Sequence, residues 1–551
     1  MTERWSTTAI RAIAAAAIVG GAVLVILLCL GFSTAQMAAM FSHPITGGTG
    51  ESLSAPAAAP VKDSAKHFGA VNYSVVVAYL LGMLVIGWIT GRRIKGTRGF
   101  FIGDGKIHYI LLAFSLLGTY LSALTMMSLS GMAYGKNNWL YVVQLPCLIL
   151  TAVIVTRLVL PRFREAGVIS VYEYLEQRIH VSVRVLASVS FVALSIGRMG
   201  LLLFLPALAL TSVTGFPLHL NIIVIGVIVT FYTVLGGIEA VIWTDAVQVG
   251  VIVVGTFVTL GYLFVDMGVD KFLEVGSAYS KFQIINPSLS LFQITTAWLI
   301  LETIFQTIRI YSTQQDMTQR YMTTDSTAKA NRSVWISIVG YIPLGFIFYF
   351  IGTALFAYYK LHPGIPAPVN PDGCYPHFIG HQLPPGLAGL VVAAIFAASM
   401  SSIDSLMNSS STVCVQDFLK RFGRKDRSDD EHLRWARLLT LVWGILAIAL
   451  GLIFTIIWNE HTQIIWGKLM AVTTNGVLGL MALAFLPWRV RTSAAIAGFA
   501  ASTVSLIAMM VLGINFLLWS VVGNTVCFVV AVALNALFAK DVLPEERKAQ
   551  A

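Results

Sequence analysis

Apolar runs of about twenty residues, long enough to cross a bilayer core as helices, recur along this chain. They predict fourteen spans, at 9–33, 71–91, 108–133, 139–161, 182–213, 218–236, 239–265, 287–309, 333–359, 386–417, 435–458, 464–487, 492–513 and 515–538. Residues 1–34 are expected to be an extra span or signal anchor, although Ser33-Thr34-Ala35 would also suit a signal peptidase. Residues 35–70, rich in Gly, Ala, Pro and Ser, read as an extracytoplasmic linker, and 71–107 as one helix followed by a basic loop. Two spans break the apolar pattern with polar residues. The 108–133 run carries Gly118, Thr119, Tyr120, Ser122 and Thr125 at its middle, and the 287–309 run carries Thr295, Thr296, Glu302, Thr303 and Gln306. Each opens a group of five spans, 108–267 and 287–487, leaving two accessory helices and a tail in 488–551. An odd number of spans per group inserts the second group upside down. Matching interrupted helices in two inverted halves point to a transporter site at the bilayer midplane. The predicted fold is an all-α polytopic membrane protein with a 5+5 inverted-repeat core.

Composition agrees. The chain is 57% hydrophobic and only 11% charged, with a mean hydropathy of +0.79, which excludes a soluble globular or a disordered protein. The net charge of +10 could suggest nucleic acid, but its distribution follows topology. With the N-terminus in the cytoplasm, 28 of the 36 Lys and Arg fall in cytoplasmic loops, tails or adjoining helix ends. Six fall outside (Lys62, Lys66, Lys136, Lys271, Lys281 and Lys360), and Arg198 and Lys468 lie within spans. The dense clusters Arg92–Lys106, Arg157–Arg184 and Lys420–Arg437 all land inside, as the positive-inside rule requires. The expectation is an inner-membrane protein with both termini cytoplasmic and no nucleic-acid or obligate protein partner. The five cysteines form no CxxC pair, and no HExxH, Walker A or dinucleotide motif occurs. No nucleophile–base or metal-ligand set argues for an enzyme.

The most informative stretch is Val391 to Asp417, VVAAIFAASMSSIDSLMNSSSTVCVQD. It has the length of a span but carries eight serines and threonines and, within its middle, Asp404. Ala398, Ser401, Ser402 and Ser405 fall at i, i+3, i+4 and i+7 and share a helical face. Hydroxyls beside a carboxylate in a membrane helix need partners or an aqueous site, and oxygen-only ligands suit a hard cation. The other reading is that the serines bond back to carbonyls or let helices pack closely.

Four stretches resemble the sodium:solute symporter family: RMGLLLFLPALALTSVTG (198–215), YTVLGGIEAVIWTDAVQ (232–248), TQQDMTQRYMTTDSTAKANRS (313–333) and FAASMSSIDSLMNSSSTVCVQDF (396–418). They occur in the family's order across 71–487. The resemblance implies the LeuT-type fold with its first and sixth core helices unwound, and sodium as the coupling ion, one or two per cycle. It implies a main sodium site from the carbonyls of Gly118, Leu121 and Ala398 and the hydroxyls of Ser401 and Ser402. A second site, found in some members, would use Asp245, Ser401, Asp404 and Ser405; on the residues alone, Asp245 reads equally as an interfacial aspartate at a helix start.

The substrate-facing positions resemble the bacterial sialic-acid branch. Ser122, Thr125, Gln144, Arg198 and Phe305 match its contacts, and Arg198 matches an arginine that holds a carboxylate. A guanidinium inside a membrane needs an anion, and its fork suits a carboxylate; pairing with Asp245, Glu302 or Asp404 is the structural alternative. Two departures are the bulk of Tyr120 and the added cation Lys468. The resemblance implies a sodium symporter for a small organic, acidic solute such as sialic acid or another carboxylate. Neutral sugars, monocarboxylates, proton coupling through Asp245 or Asp404, and a transporter-like sensor remain the alternatives.

Overall fold

The computed structural model describes residues 68–135, 139–423, 426–458, 468 and 471–539. The expected span at 9–33 lies outside them. Helix α1 (Ala70–Gly91) is followed by the short α2 (Thr97–Ile102). Next come α3 (Tyr109–Tyr120) and α4 (Ala123–Tyr134), the two halves of the 108–133 segment. The chain continues through α5 (Leu140–Ala166), α6 (Val171–Arg178), α7 (Val181–Thr214) and α8 (Leu218–Ala278). Then follow α9 (Thr296–Thr313), α10 (Gln315–Thr318), α11 (Thr327–Leu361), α12 (Cys374–His381) and α13 (Leu387–Phe422). Helices α14 (Asp429–Ile457), α15 (Ala471–Ala484), α16 (Thr492–Val511) and α17 (Leu517–Ala539) complete the described fold.

The two interruptions have local causes. Leu121 leaves the helical region (φ −92°, ψ 96°), and Ser122 restarts the chain as the N-cap of α4, its Oγ accepting from Thr125 N at 3.2 Å. Gln314 is extended (φ −88°, ψ 125°) between α9 and α10. The second break therefore lies beyond the expected 287–309 span. That span is displaced because Asn286 ties residues 286–296 into a loop, donating from its side-chain amide to Ile294 O at 2.8 Å and from its backbone N–H to Thr296 Oγ1 at 2.8 Å. Helix α8 comprises the two expected spans 218–236 and 239–265, joined at Gly237 (φ 49°, ψ −145°). A Cβ there would stand 2.5 Å from Phe100 O, so only glycine fits this bend.

Helix α13 is the central post. Its most apolar window is 89% buried, against 28–67% for the other long apolar helices among the described residues. Its serines therefore face protein on all sides, against α1, α7, α8 and α14. Its first turn is capped from far away in sequence: Asn72 Oδ1 of α1 accepts from Gly386 N at 2.6 Å and Gly389 N at 3.0 Å. A Cβ on Gly389 would lie 2.7 Å from Asn72 Cα, so the small residue permits the approach.

The three basic clusters meet at one end of the bundle. Thr97 donates to Asp429 through its N–H (2.9 Å) and hydroxyl (2.5 Å), and Arg421 pairs with Glu176 at 2.8 Å. Arg184 reaches Asp417 (2.6 Å), Glu176 (2.6 Å) and Glu173 (3.2 Å). These charge-assisted bonds let α2, α6 and the start of α14 lie side by side despite their positive excess.

The opposite end carries α12. Its His377 Nδ1 lies 2.7 Å from Tyr359 Oη, and its ring stacks on His381 at 4.3 Å. Burial, and then the neighbouring His381, push His377 down to about 4. The unfolded chain protonates this imidazole near pH ~6.5, so its contribution to stability is present above that pH and is lost as the pH falls towards 4. Acidification from 6.5 to 4 is expected to lower thermal stability and expose α12 amides to hydrogen exchange, with a shallower pH slope for His377→Gln. Equal slopes for parent and variant would contradict this.

Candidate functional site

The break at Leu121 leaves the last carbonyls of α3 without helical partners. Ser401 of α13 turns its hydroxyl to them, donating to Gly118 O at 3.0 Å and lying 3.3 Å from Ala398 O. Ser402 Oγ, one residue on, is buried and makes no hydrogen bond among the described residues. An orphaned buried hydroxyl is costly and calls for a missing partner. Gly118, Ala398 and Ser401 thus converge in direct contact, with Ser402 beside them and the buried Leu121 at the break itself. The donor set is oxygen only and fits a small hard cation.

One turn further along α13 lies a denser cluster. Asp245 Oδ2 accepts from Ser115 Oγ at 2.5 Å and from Arg320 Nη2 at 3.0 Å. The same guanidinium nitrogen donates to Ser405 Oγ at 2.6 Å, its Nε to Ser115 Oγ at 2.8 Å, and its Nη1 to Asp316 O. Ser405 Oγ donates to Ser401 O at 2.6 Å, and Asp404 Oδ2 accepts from Tyr232 Oη at 2.6 Å. Asp245 and Asp404 are 0% exposed and Arg320 1%. Asp245 is therefore no interfacial aspartate. Its Oδ1 is buried and has no hydrogen-bond partner among the described residues, and two carboxylates face one guanidinium. Both facts leave room for a further cation.

The two helix breaks bound a central cavity of about 160 Å³, lined among others by Tyr120, Ser122, Thr125, Arg198, Gln314 and Tyr341. Ser122 and Thr125 hydroxyls lie 3.1 Å apart. Arg198 Nη1 donates to Gln314 Oε1 at 3.3 Å. Among the described residues Arg198 makes no ion pair, so pairing with Asp245, Glu302 or Asp404 is not what the fold does: Asp245 pairs with Arg320 instead. Tyr120 packs edge-on against Tyr341 at 4.7 Å and narrows the cavity.

Gln144 and Phe305 are half-buried and do not line this cavity. The displaced helix accounts for Phe305. The segment reaches the cavity through Ile310, Gln314 and Met317, and Phe305 sits about 140° around α9 from Ile310. Lys468 is buried but does not line the central cavity. Sequence reasoning missed Ser115, Tyr232, Arg309, Gln314, Arg320 and Tyr341. Arg320 stands in the Gln-Arg pair of the 313–333 motif, the one signal that could have marked it. Arg309 is not at a helix end, because α9 runs on to Thr313.

A buried polar post, two interrupted helices and a cavity between their breaks define a secondary membrane transporter. The comparisons agree. The family model "Sodium:solute symporter family" matches residues 100–502, and the chain belongs to that family. It is 32% identical over 483 residues to the sodium/sialic acid symporter SiaT of Proteus mirabilis, covering 86% of this chain and 96% of that protein. It is 31% identical to the sodium/sialic acid symporter NanT of Aliivibrio fischeri, over 88% and 96%. The human sodium-coupled monocarboxylate transporter 1 is 30% identical, over 67% of this chain and 62% of that one. A substrate-bound, outward-open structure of a Na+-coupled sialic acid symporter, which reveals a novel Na+ site in that protein, superposes with a TM-score of 0.80 at 29% identity, covering 86% and 98%. Mhp1 in a closed conformation superposes at 0.54 with 13% identity over 80% and 95%, a likeness of fold alone. The fold is all-α, with the LeuT-type 5+5 inverted-repeat core.

Proposed function

We propose that the chain is a sodium-coupled symporter importing a small acidic solute, with sialic acid the first candidate. The observation that carries this is Arg198, a guanidinium without an ion pair among the described residues, facing a cavity between two helix breaks. The solute carboxylate would take its planar fork, with Ser122 and Thr125 hydroxyls beside it. The named activities of SiaT and NanT support the choice. The basic end is the cytoplasmic one, in an inner membrane with both termini inside.

The first sodium ion would sit on the carbonyls of Gly118, Leu121 and Ala398 and the hydroxyls of Ser401 and Ser402, strengthening the tie between α3 and α13. That tie favours the state closed inside, and sodium loss to the cytoplasm would loosen it and release the solute. A second ion would approach Asp245 through its unpartnered Oδ1, with Ser401, Asp404 and Ser405 near and Arg320 retaining Oδ2. Two sodium ions per monoanion move one net charge inward, which the membrane potential drives by about 2.3 kcal/mol per 100 mV.

Proteoliposomes given sialic acid and a sodium gradient test the reading. Uptake should carry inward current, with a Hill coefficient for sodium above one. Uptake without current and a coefficient near one removes the second ion. Uptake unchanged when choline replaces sodium removes sodium coupling and leaves proton transfer by the buried aspartates. Monocarboxylates transported in place of sialic acid would keep the role of Arg198 and change the solute.

Ser402→Ala gives a sharper check. The hydroxyl has no partner among the described residues, so thermal stability without sodium should be unchanged or slightly higher. The half-saturating sodium concentration should rise by about 10-fold, the loss of roughly one ligand. Destabilisation without sodium and an unaltered sodium response would instead make the serine a packing residue.

A further inference from the structure

A second guanidinium stands beside the central cavity. Arg309 of α9 is half-buried, and among the described residues its side chain makes no hydrogen bond and no ion pair. The charges of Arg198, Glu302 and Asp316 reach it, but neither carboxylate is within ion-pair distance. It lines a separate narrow space of about 10 Å³ with Tyr172, Ser190, Thr313, Gln314 and Thr473. Gln314 also lines the central cavity and binds Arg198, so it is the residue that the linings of the two spaces share.

The order of residues along α7 gives the direction. Arg198 lines the central cavity, whereas Ala187, Ser190, Phe191 and Leu194 line the narrow space. They lie 4 to 11 residues nearer the basic end, or about 6–17 Å along the helix. The narrow space has room for about one water molecule, too little to pass a solute in this state. Opening it would require α6 and α15 to separate from α9.

We propose that Arg309 is a release station for the solute carboxylate, a second anion subsite between the central cavity and the basic end. This rests on the reading that Arg198 holds a carboxylate. A carboxylate leaving Arg198 past Gln314 would otherwise lose its only cation within a low-dielectric interior. Arg309 presents a second fork on that path, with the amide of Gln314 as a further donor; the hydroxyls of Tyr172, Ser190 and Thr313 donate to backbone carbonyls in this state and would have to turn to reach the solute. The mutual repulsion of Arg198 and Arg309 disfavours the unliganded pair on either side and so keeps the carboxylate shared during transfer.

The test uses the full chain, with labelled sialic acid as probe. Arg309→Gln, Arg309→Lys and Arg198→Gln are compared for equilibrium binding in detergent and for maximal uptake and efflux in proteoliposomes. Arg309→Gln should leave binding within about twofold of the parent but slow turnover by about 10-fold, the loss of a charge-assisted contact met only in passage. Arg309→Lys should recover part of that rate. Sodium-dependent thermal stabilisation of each variant shows that it is folded, and Arg309→Lys keeps the charge should Arg309→Gln fail this control. Unchanged turnover in Arg309→Gln overturns the station. So does a binding loss as large as that of Arg198→Gln, which would put Arg309 in the central site, or a lysine variant no faster than the glutamine variant. Parent-like binding in Arg198→Gln overturns the carboxylate reading itself and the station with it.

Discussion

Arg198→Gln is expected to lower affinity for sialic acid by about 100-fold or more while leaving the protein folded. The guanidinium has one long hydrogen bond, 3.3 Å to Gln314 Oε1, and no ion pair among the described residues. Its removal therefore strands no buried charge, and thermal stability without solute should change little. What is lost is a bidentate contact with the solute. Hydrogen bonds to charged groups are worth roughly 1.5–3 kcal/mol each, so two give about 3–6 kcal/mol and at least two orders of magnitude. Arg198→Lys should recover little of this, since an ammonium cannot reproduce the planar fork. Calorimetric binding of sialic acid and thermal melts of both variants check the result. A parent-like affinity in Arg198→Gln, or stabilisation of the parent by neutral sugars alone, would remove the carboxylate from the argument.

Asp245→Ala should do the opposite and damage the fold directly. Arg320 is 1% exposed and its one ion-pair partner among the described residues is Asp245. Without that carboxylate the guanidinium keeps only the hydroxyls of Ser115 and Ser405 and the Asp316 carbonyl. Breaking a buried pair from one side costs about 3–5 kcal/mol. The double variant Asp245→Ala/Arg320→Met, which removes both charges, should be markedly more stable than Asp245→Ala alone. Melting temperatures and sodium titrations of the two single variants and the double variant form the cycle. Additive losses would mean that the pair is not coupled. A second sodium dependence retained in Asp245→Ala would place the second ion elsewhere.

Much of this arrangement is legible in the sequence, and what is not has physical reasons. The first helix break is visible because Gly118, Thr119 and Ser122 interrupt an apolar run and Ser122 has the chemistry of an N-cap. The burial of α13 is visible because eight hydroxylic residues in a span cannot face lipid. The second break at Gln314 is hidden. TQQDMTQR holds no glycine or proline, and its polarity reads as a loop outside the membrane. Arg309 and Arg320 are hidden for a related reason. Sorting charges by loop counts guanidinium groups, but it cannot tell one turned into the protein from one facing headgroups. Single-residue correspondences such as Phe305 depend on helix register. That register is set by the Asn286 loop, which no apolar pattern reveals.

The hold of Asn72 on Gly389 also sets a timetable for synthesis. The two residues lie 317 positions apart. At roughly 5–20 residues per second, the ribosome makes the second about 16–60 s after the first. Through that interval α1 is already in the bilayer, and its amide lacks both α13 donors. The cap on the first turn of the central post therefore forms only after most of the chain has been made.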